Sequence, residues 1–231
     1  MKPRARVLMK PSDLQLIQQA GPYQADIWDF DGVIADTEPV QAESYAELLA
    51  KEGGSPPANF FTSQVGKSED EILRSLIVEY GLKRSVASLH QKRQELLLRS
   101  LKRRLAPNWF VLPLLGILSG HGVPSQLVSS GNSEVVEAML EYWRLRPFFS
   151  SVASWNPGDS PATKERKLQE IRRRWPGKLL LIEDSMRYLR WAAAKDITTV
   201  GVSHSLNNID PTIVDFVVEL KIVPAEPPAV A

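Results

Sequence analysis

The chain contains no cysteine. That absence excludes a disulfide framework, thiolate zinc sites, iron–sulfur clusters and every cysteine-nucleophile mechanism, so any metal must be held by oxygen or imidazole. Imidazole is scarce as well. His90, His121 and His204 stand far apart, with no second histidine at ligand spacing, and each is read as a surface or satisfied core residue. An excess of one charge is also missing: Lys and Arg number 28 against 27 for Asp and Glu, a formal net charge of +1. A polybasic nucleic-acid binder and a charged disordered chain are thereby disfavoured. The basic clusters Arg99 to Arg104 and Arg172 to Arg174 sit on helical patterns and are read as solvated faces. Long hydrophobic runs are lacking too. The longest, Trp109 to Leu118, has ten residues and contains Pro113, half of the roughly 20 that span a bilayer. The N-terminus offers only Val7 to Met9, well short of the roughly 7–15 apolar residues of a signal peptide. The expectation is a cytoplasmic protein, monomer or homodimer, without membrane or nucleic-acid partners.

What is present is ordinary globular material: 231 residues, 43% hydrophobic and 24% charged, enough for one domain with an insertion or for two small ones. Four β-rich apolar runs stand out: Ala25 to Phe30, Pro124 to Ser130, Lys178 to Asp184 and Thr198 to Val202, with weaker ones at Phe148 to Trp155 and Val214 to Leu220. Helical patterns follow them at Ser133 to Tyr142, Lys164 to Trp175 and Met186 to Lys195. Such alternation predicts an α/β fold with a doubly wound, mainly parallel sheet. A strand–helix–strand unit takes about 30 residues, yet roughly a hundred separate the first two strong strands. The interval holds helical patterns only: Pro39 to Lys51, Glu69 to Tyr80 opened by a capping box at Ser68, and Ser85 to Leu105. Residues 38–107 are therefore expected to form a helical lid inserted into a core made of 1–37 and 108–231. Residues 1–24 read as an extension with one helical pattern, Asp13 to Ala20, and residues 224–231 as a frayed end.

The chemistry gathers at strand ends. In DFDGVIADTE, Asp29 and Asp31 are two apart, on one face of an extended chain, with Gly32 allowing a turn. Glu183 and Asp184 end the KLLLI run in the same way. Buried carboxylates need a compensating cation, and the carboxyl edge of an open parallel sheet is where ligands bind. An oxygen-only cluster suits Mg²⁺ together with a phosphate. Ser129, Ser130, Gly131 and Asn132 offer a hydroxyl and backbone N–H groups at a helix start, an anion site; alternatively, Ser129 and Ser130 simply cap that helix. Lys164 can bring an ammonium to the same edge.

DFDGVIADTE, Ser129 in QLVSS, Lys164 and IEDS, taken in order, resemble the four motifs of the haloacid dehalogenase superfamily, and the likeness covers about 200 residues. The inserted cap is similar to that of the β-phosphoglucomutase and phosphoglycolate-phosphatase-like subfamily. The resemblance implies a Rossmann-like core and a Mg²⁺-dependent phosphomonoesterase acting on a small phosphorylated metabolite. It implies that Asp29 is the nucleophile, that Asp31 is the acid and base, and that Ser129, Ser130, Gly131 and Asn132 hold phosphoryl oxygens. Lys164 would neutralise charge, and Asp29, Asp31, Glu183 and Asp184 would serve the metal. Gly66 and Lys67, in VGKS, resemble the cap loop that meets substrate. A phosphomutase and a catalytically silent binding module are the alternatives. The chain departs from the family pattern at Tyr188 and Trp191, where small residues are usual, at Asp196, where glycine is usual, and at Glu165, where proline follows the lysine. Lys167 is accordingly a second candidate for the role given to Lys164.

Overall fold

A computed structural model describes residues 5–55, 60, 69–156 and 163–220. The cap-loop residues Gly66 and Lys67, the capping-box Ser68 and the tail at 224–231 lie outside them. Seven strands form one parallel sheet: β1 (Arg6–Leu8), β2 (Ala25–Trp28), β3 (Ser125–Asn132), β4 (Phe149–Trp155), β5 (Leu179–Glu183), β6 (Thr198–Ser203) and β7 (Phe216–Glu219), in the order β1-β7-β6-β5-β2-β3-β4. The helices are α1 (Gln15–Gln19), α2 (Glu38–Lys51), α3 (Glu69–Tyr80), α4 (Val86–Arg104), α5 (Val111–Gly120), α6 (Ser133–Tyr142), α7 (Thr163–Arg174) and α8 (Met186–Ala193). None of them is long and apolar enough to cross a membrane.

Every residue of β2 and β5 is buried. Covered on both faces, such strands read as continuous apolar runs rather than alternating ones. On one face Ala25, Ile27, Leu179 and Leu181 pack with Leu168 of α7 and Ala192 of α8. Trp28 stacks on Phe110, just ahead of α5, with ring centroids 6.2 Å apart. Register fixes the functional edge: Trp28 lies opposite Leu127 on one side and Ile182 on the other. In parallel strands the chains run past this row in the same direction, so Asp29 and Glu183, one residue on, and Ser129, two residues on, come to one end of three adjacent strands.

The chain divides into two compact units, residues 1–36 with 107–231 and residues 37–106. The second unit is helical around Tyr45, Leu48, Leu49, Leu73, Leu76, Leu89 and Leu96. Ser85 caps α4 by accepting the N–H of Ser88 at 3.2 Å, and Lys102, Arg103 and Arg104 close its last turn against the helix dipole. Within this unit Arg93 is buried, 2.8 Å from Glu69 and 3.9 Å from the Tyr45 ring centre.

The extension, whose role the sequence left unread, builds the sheet edge. Arg6, Val7 and Leu8 pair in parallel with Phe216, Val217 and Val218, and the Tyr23 hydroxyl donates to the carbonyl of Ile17 at 2.8 Å. The departure at Asp196 also has a structural counterpart. The chain leaves α8 with Asp196 at φ +55°, a left-handed conformation that favours glycine at a helix C-terminus. Asp196 is exposed, so its side chain gives little back in packing. Asp196→Gly is expected to raise stability by about 1 kcal/mol, measured by urea denaturation; an unchanged or lower midpoint would count against a strained turn.

Candidate active site

Asp29 follows β2 and is 6% exposed. Its N–H donates to the carbonyl of Ile182 at 3.0 Å, and its Oδ1 accepts the N–H of Phe30 at 2.8 Å. Lys164, in the first turn of α7, reaches Asp29 Oδ2 at 2.7 Å and Glu183 Oε2 at 2.8 Å, with all three side chains nearly fully buried. Glu183 Oε1 accepts the N–H of Ser185 at 3.1 Å. Lys167 instead pairs with Glu170 at 3.0 Å, both side chains over 40% exposed. Geometry thus brings Lys164 and not Lys167 to the strand ends. Tyr188 lies with its ring centre 4.5 Å from Lys164 Nζ, so the bulky residue found where the family has a small one makes a cation–π contact with the buried ammonium.

One cation faces two buried carboxylates here. Burial, then the Glu183 charge, pushes the Asp29 carboxyl up to about 7 despite Lys164. Burial raises Glu183 as well. For Lys164, burial alone would lower the pKa, but Asp29 and Glu183 outweigh it and the net shift is upward. A buried ammonium between two carboxylates therefore stays charged, while the negative charge in excess calls for a further cation. Asp29, Glu183 and Asp184 can offer oxygens within 4.8 Å of one another. An all-oxygen donor set with surplus negative charge fits Mg²⁺.

The carboxylate of Asp31 lies close to Gly131. A methyl group at position 131 would stand 2.9 Å from Asp31 Oδ2 and 3.1 Å from Ser129 Oγ, so only glycine lets these two elements approach. Ser129 is buried and its hydroxyl accepts the Gly131 N–H at 2.8 Å, whereas Ser130 is exposed. Neither serine caps α6. Asn132 does, accepting from Glu134 at 3.0 Å and Val135 at 3.2 Å. Gly32 has φ +73°, and a Cβ there would fall 2.4 Å from Asp184 Oδ2. Both the turn and the close approach require glycine.

Two residues outside the motifs meet Asp184. His204 is buried, with Nε2 3.0 Å from Asp184 Oδ2, and Asn207 Nδ2 donates to the Asp184 carbonyl at 3.1 Å. The other histidines lie elsewhere: His90 is 3.4 Å from Glu69, and His121 is 2.8 Å from the carbonyl of Ile117.

An open parallel sheet flanked by helices, with carboxylates gathered at its carboxyl edge, defines a Rossmann-like α/β protein with a ligand site at that edge. Solved structures share the architecture. A candidate β-phosphoglucomutase from Thermotoga maritima has 24% identity, covering 86% of this chain and 94% of that one, with a TM-score of 0.68. CbbY from Rhodobacter sphaeroides, in complex with phosphate, has 16% identity over 85% of this chain and 93% of its own, at 0.68. A predicted phosphoglycolate phosphatase from Haemophilus somnus has 15% identity over 86% and 95%, also at 0.68. The family model for haloacid dehalogenase-like hydrolases matches residues 27–202. The chain belongs to that family.

Proposed function

We propose that this protein is a Mg²⁺-dependent phosphomonoesterase acting on a small phosphorylated metabolite. The observation that carries the proposal is the buried Lys164 held between Asp29 and Glu183, with Asp184 completing an oxygen trio at the sheet edge. Such a site offers a carboxylate nucleophile and fixed positive charge, which is what phosphoryl transfer to a side chain requires. Asp29 attacks phosphorus, the leaving alkoxide departs as Asp31 gives it a proton, and an aspartyl phosphate forms. Asp31 then takes a proton from water, which attacks the same phosphorus and restores Asp29. The Ser129 hydroxyl and nearby backbone N–H groups hold phosphoryl oxygens, and Lys164 offsets the charge brought in with them. Asp29, Glu183 and Asp184 would hold Mg²⁺, which would supply Lewis-acid neutralisation of the phosphoryl group. CbbY from Rhodobacter sphaeroides, of the same fold, was solved with phosphate bound, which agrees with a phosphorylated ligand here.

A phosphomutase would share the first half of this sequence and pass the phosphoryl group to a second substrate hydroxyl. It needs a cation to grip a second phosphate. Among the described residues of the helical unit the buried cation, Arg93, is already bound to Glu69 at 2.8 Å and to Gln41 at 3.2 Å, which favours water as acceptor.

The test is phosphate release by the full chain over sugar phosphates, phosphoglycolate and nucleotides. Release is expected with Mg²⁺, is lost with EDTA and returns on adding Mg²⁺. Full-rate hydrolysis after EDTA treatment would remove the metal from the mechanism. Conversion of glucose 1-phosphate to glucose 6-phosphate, primed by the 1,6-bisphosphate and faster than phosphate release, would make the protein a mutase.

A further inference from the structure

We propose that His204 is a positioning residue that holds the Asp184 carboxylate for a divalent cation through its Nε2–H. The inference rests on the metal reading above and adds to it a residue that touches neither metal nor substrate. His204 lies just beyond β6, in a turn closed on itself: its N–H donates to Asn207 Oδ1 at 3.0 Å, and Asn207 Nδ2 donates to the Val202 carbonyl at 2.8 Å. The ring tautomer follows from its neighbours. Nδ1 accepts the N–H of Leu206 at 3.2 Å, so in the neutral ring the proton sits on Nε2, which faces Asp184 Oδ2 at 3.0 Å. One turn therefore grips Asp184 twice, at the carboxylate through His204 and at the backbone carbonyl through Asn207 at 3.1 Å. The bond also sits against the turn after Asp29, since a Cβ on Gly32 would meet both Asp184 Oδ2 at 2.4 Å and His204 Nε2 at 3.2 Å. A histidine that merely satisfied the loop would need only its Nδ1 contact. The Nε2 contact joins the loop to a member of the carboxylate trio, and partners that orient ligating carboxylates carry about 10–100-fold in metal affinity.

Two substitutions divide the ring's contacts. Asn at 204 offers an acceptor near the Nδ1 position but does not reach Asp184; Gln offers a donor near the Nε2 position but loses the loop bond. Binding of Mn²⁺ alone, followed by the electron paramagnetic resonance signal of the free ion, gives a dissociation constant and a number of sites. Unfolded protein lowers the number of sites without altering their affinity. His204→Asn is expected to weaken Mn²⁺ binding by about 10–100-fold, with His204→Gln close to wild type. The reverse order, or His204→Asn binding as tightly as wild type, would overturn the positioning role while leaving the metal site intact. A wild type that binds no Mn²⁺, or an Asp184→Ala variant that binds it normally, would overturn the metal reading and this inference with it.

Discussion

Asp29→Asn is expected to abolish turnover while leaving a protein more stable than wild type at neutral pH. The loss follows from the proposed chemistry, because an amide cannot attack phosphorus as a carboxylate does; removing a nucleophile costs on the order of 10⁴-fold or more. The gain follows from burial. In the absence of a divalent cation, burial and Glu183 push the Asp29 carboxyl up to about 7 against the attraction of Lys164. In the unfolded chain the group titrates at the ordinary aspartate value of about 3.8. Between these two values the unfolded state releases the proton that the folded state retains, so wild-type stability falls as pH rises through that window. Asn does not titrate. The stability difference should therefore be small near pH 4, grow towards pH 7 and level off above it, and Lys164 keeps Glu183 as a partner in the variant. Urea denaturation of both proteins in EDTA between pH 4 and 8, beside phosphate-release assays in Mg²⁺, measures both effects. Retained turnover would remove Asp29 from the nucleophile role; a variant less stable than wild type at pH 8 would mean that the Lys164 pairing outweighs burial.

Much of this site could be read from the sequence because its residues stand immediately after apolar runs. Asp29 and the Glu183–Asp184 pair need only parallel strands to be brought together, and the apolar runs of β2 and β5 already imply those strands. The choice between Lys164 and Lys167 could not be made that way. Three residues apart on a helix, they occupy neighbouring positions in a segment charged nearly all round, and only the fold buries one and exposes the other. β1 is too short at three residues to show a period, and its pairing with β7 joins the two ends of the described chain. His204 gave no spacing signal because its partner Asp184 lies 20 positions back, on a different strand end. The departures from the family pattern could be seen in the sequence, but their consequences could not: Tyr188 faces the Lys164 ammonium, and Asp196 takes the left-handed turn itself.

Lys164→Met should be the most destabilising of the single changes considered, and its cost should depend on pH and on Mg²⁺ in a way that identifies the cause. Met fills much of the volume of the lysine stem, so packing loss is small. What disappears is the only ammonium within reach of Asp29 and Glu183 among the described residues. Removing one partner of a buried ion pair costs about 3–5 kcal/mol, because the remaining charge is left uncompensated in a low-dielectric site. Here two carboxylates are left together. Their folded-state pKa values, already raised by burial, must rise further without the lysine, so protonation relieves the cost as pH falls and the variant should approach wild type near pH 4. A divalent cation that binds the folded trio and not the unfolded chain, as proposed, acts in the same direction by a different route and should restore more stability to Lys164→Met than to wild type. Lys167→Met, at an exposed pair with Glu170, is the control and should leave the denaturation midpoint unchanged at every pH. Denaturation curves for the three proteins at pH 4 and pH 8, with EDTA or Mg²⁺, decide the matter. A Lys164 variant as stable as wild type at pH 8 in EDTA would show that Asp29 and Glu183 share a proton there instead of resting on the lysine, and the electrostatic basis proposed for the site would have to be abandoned.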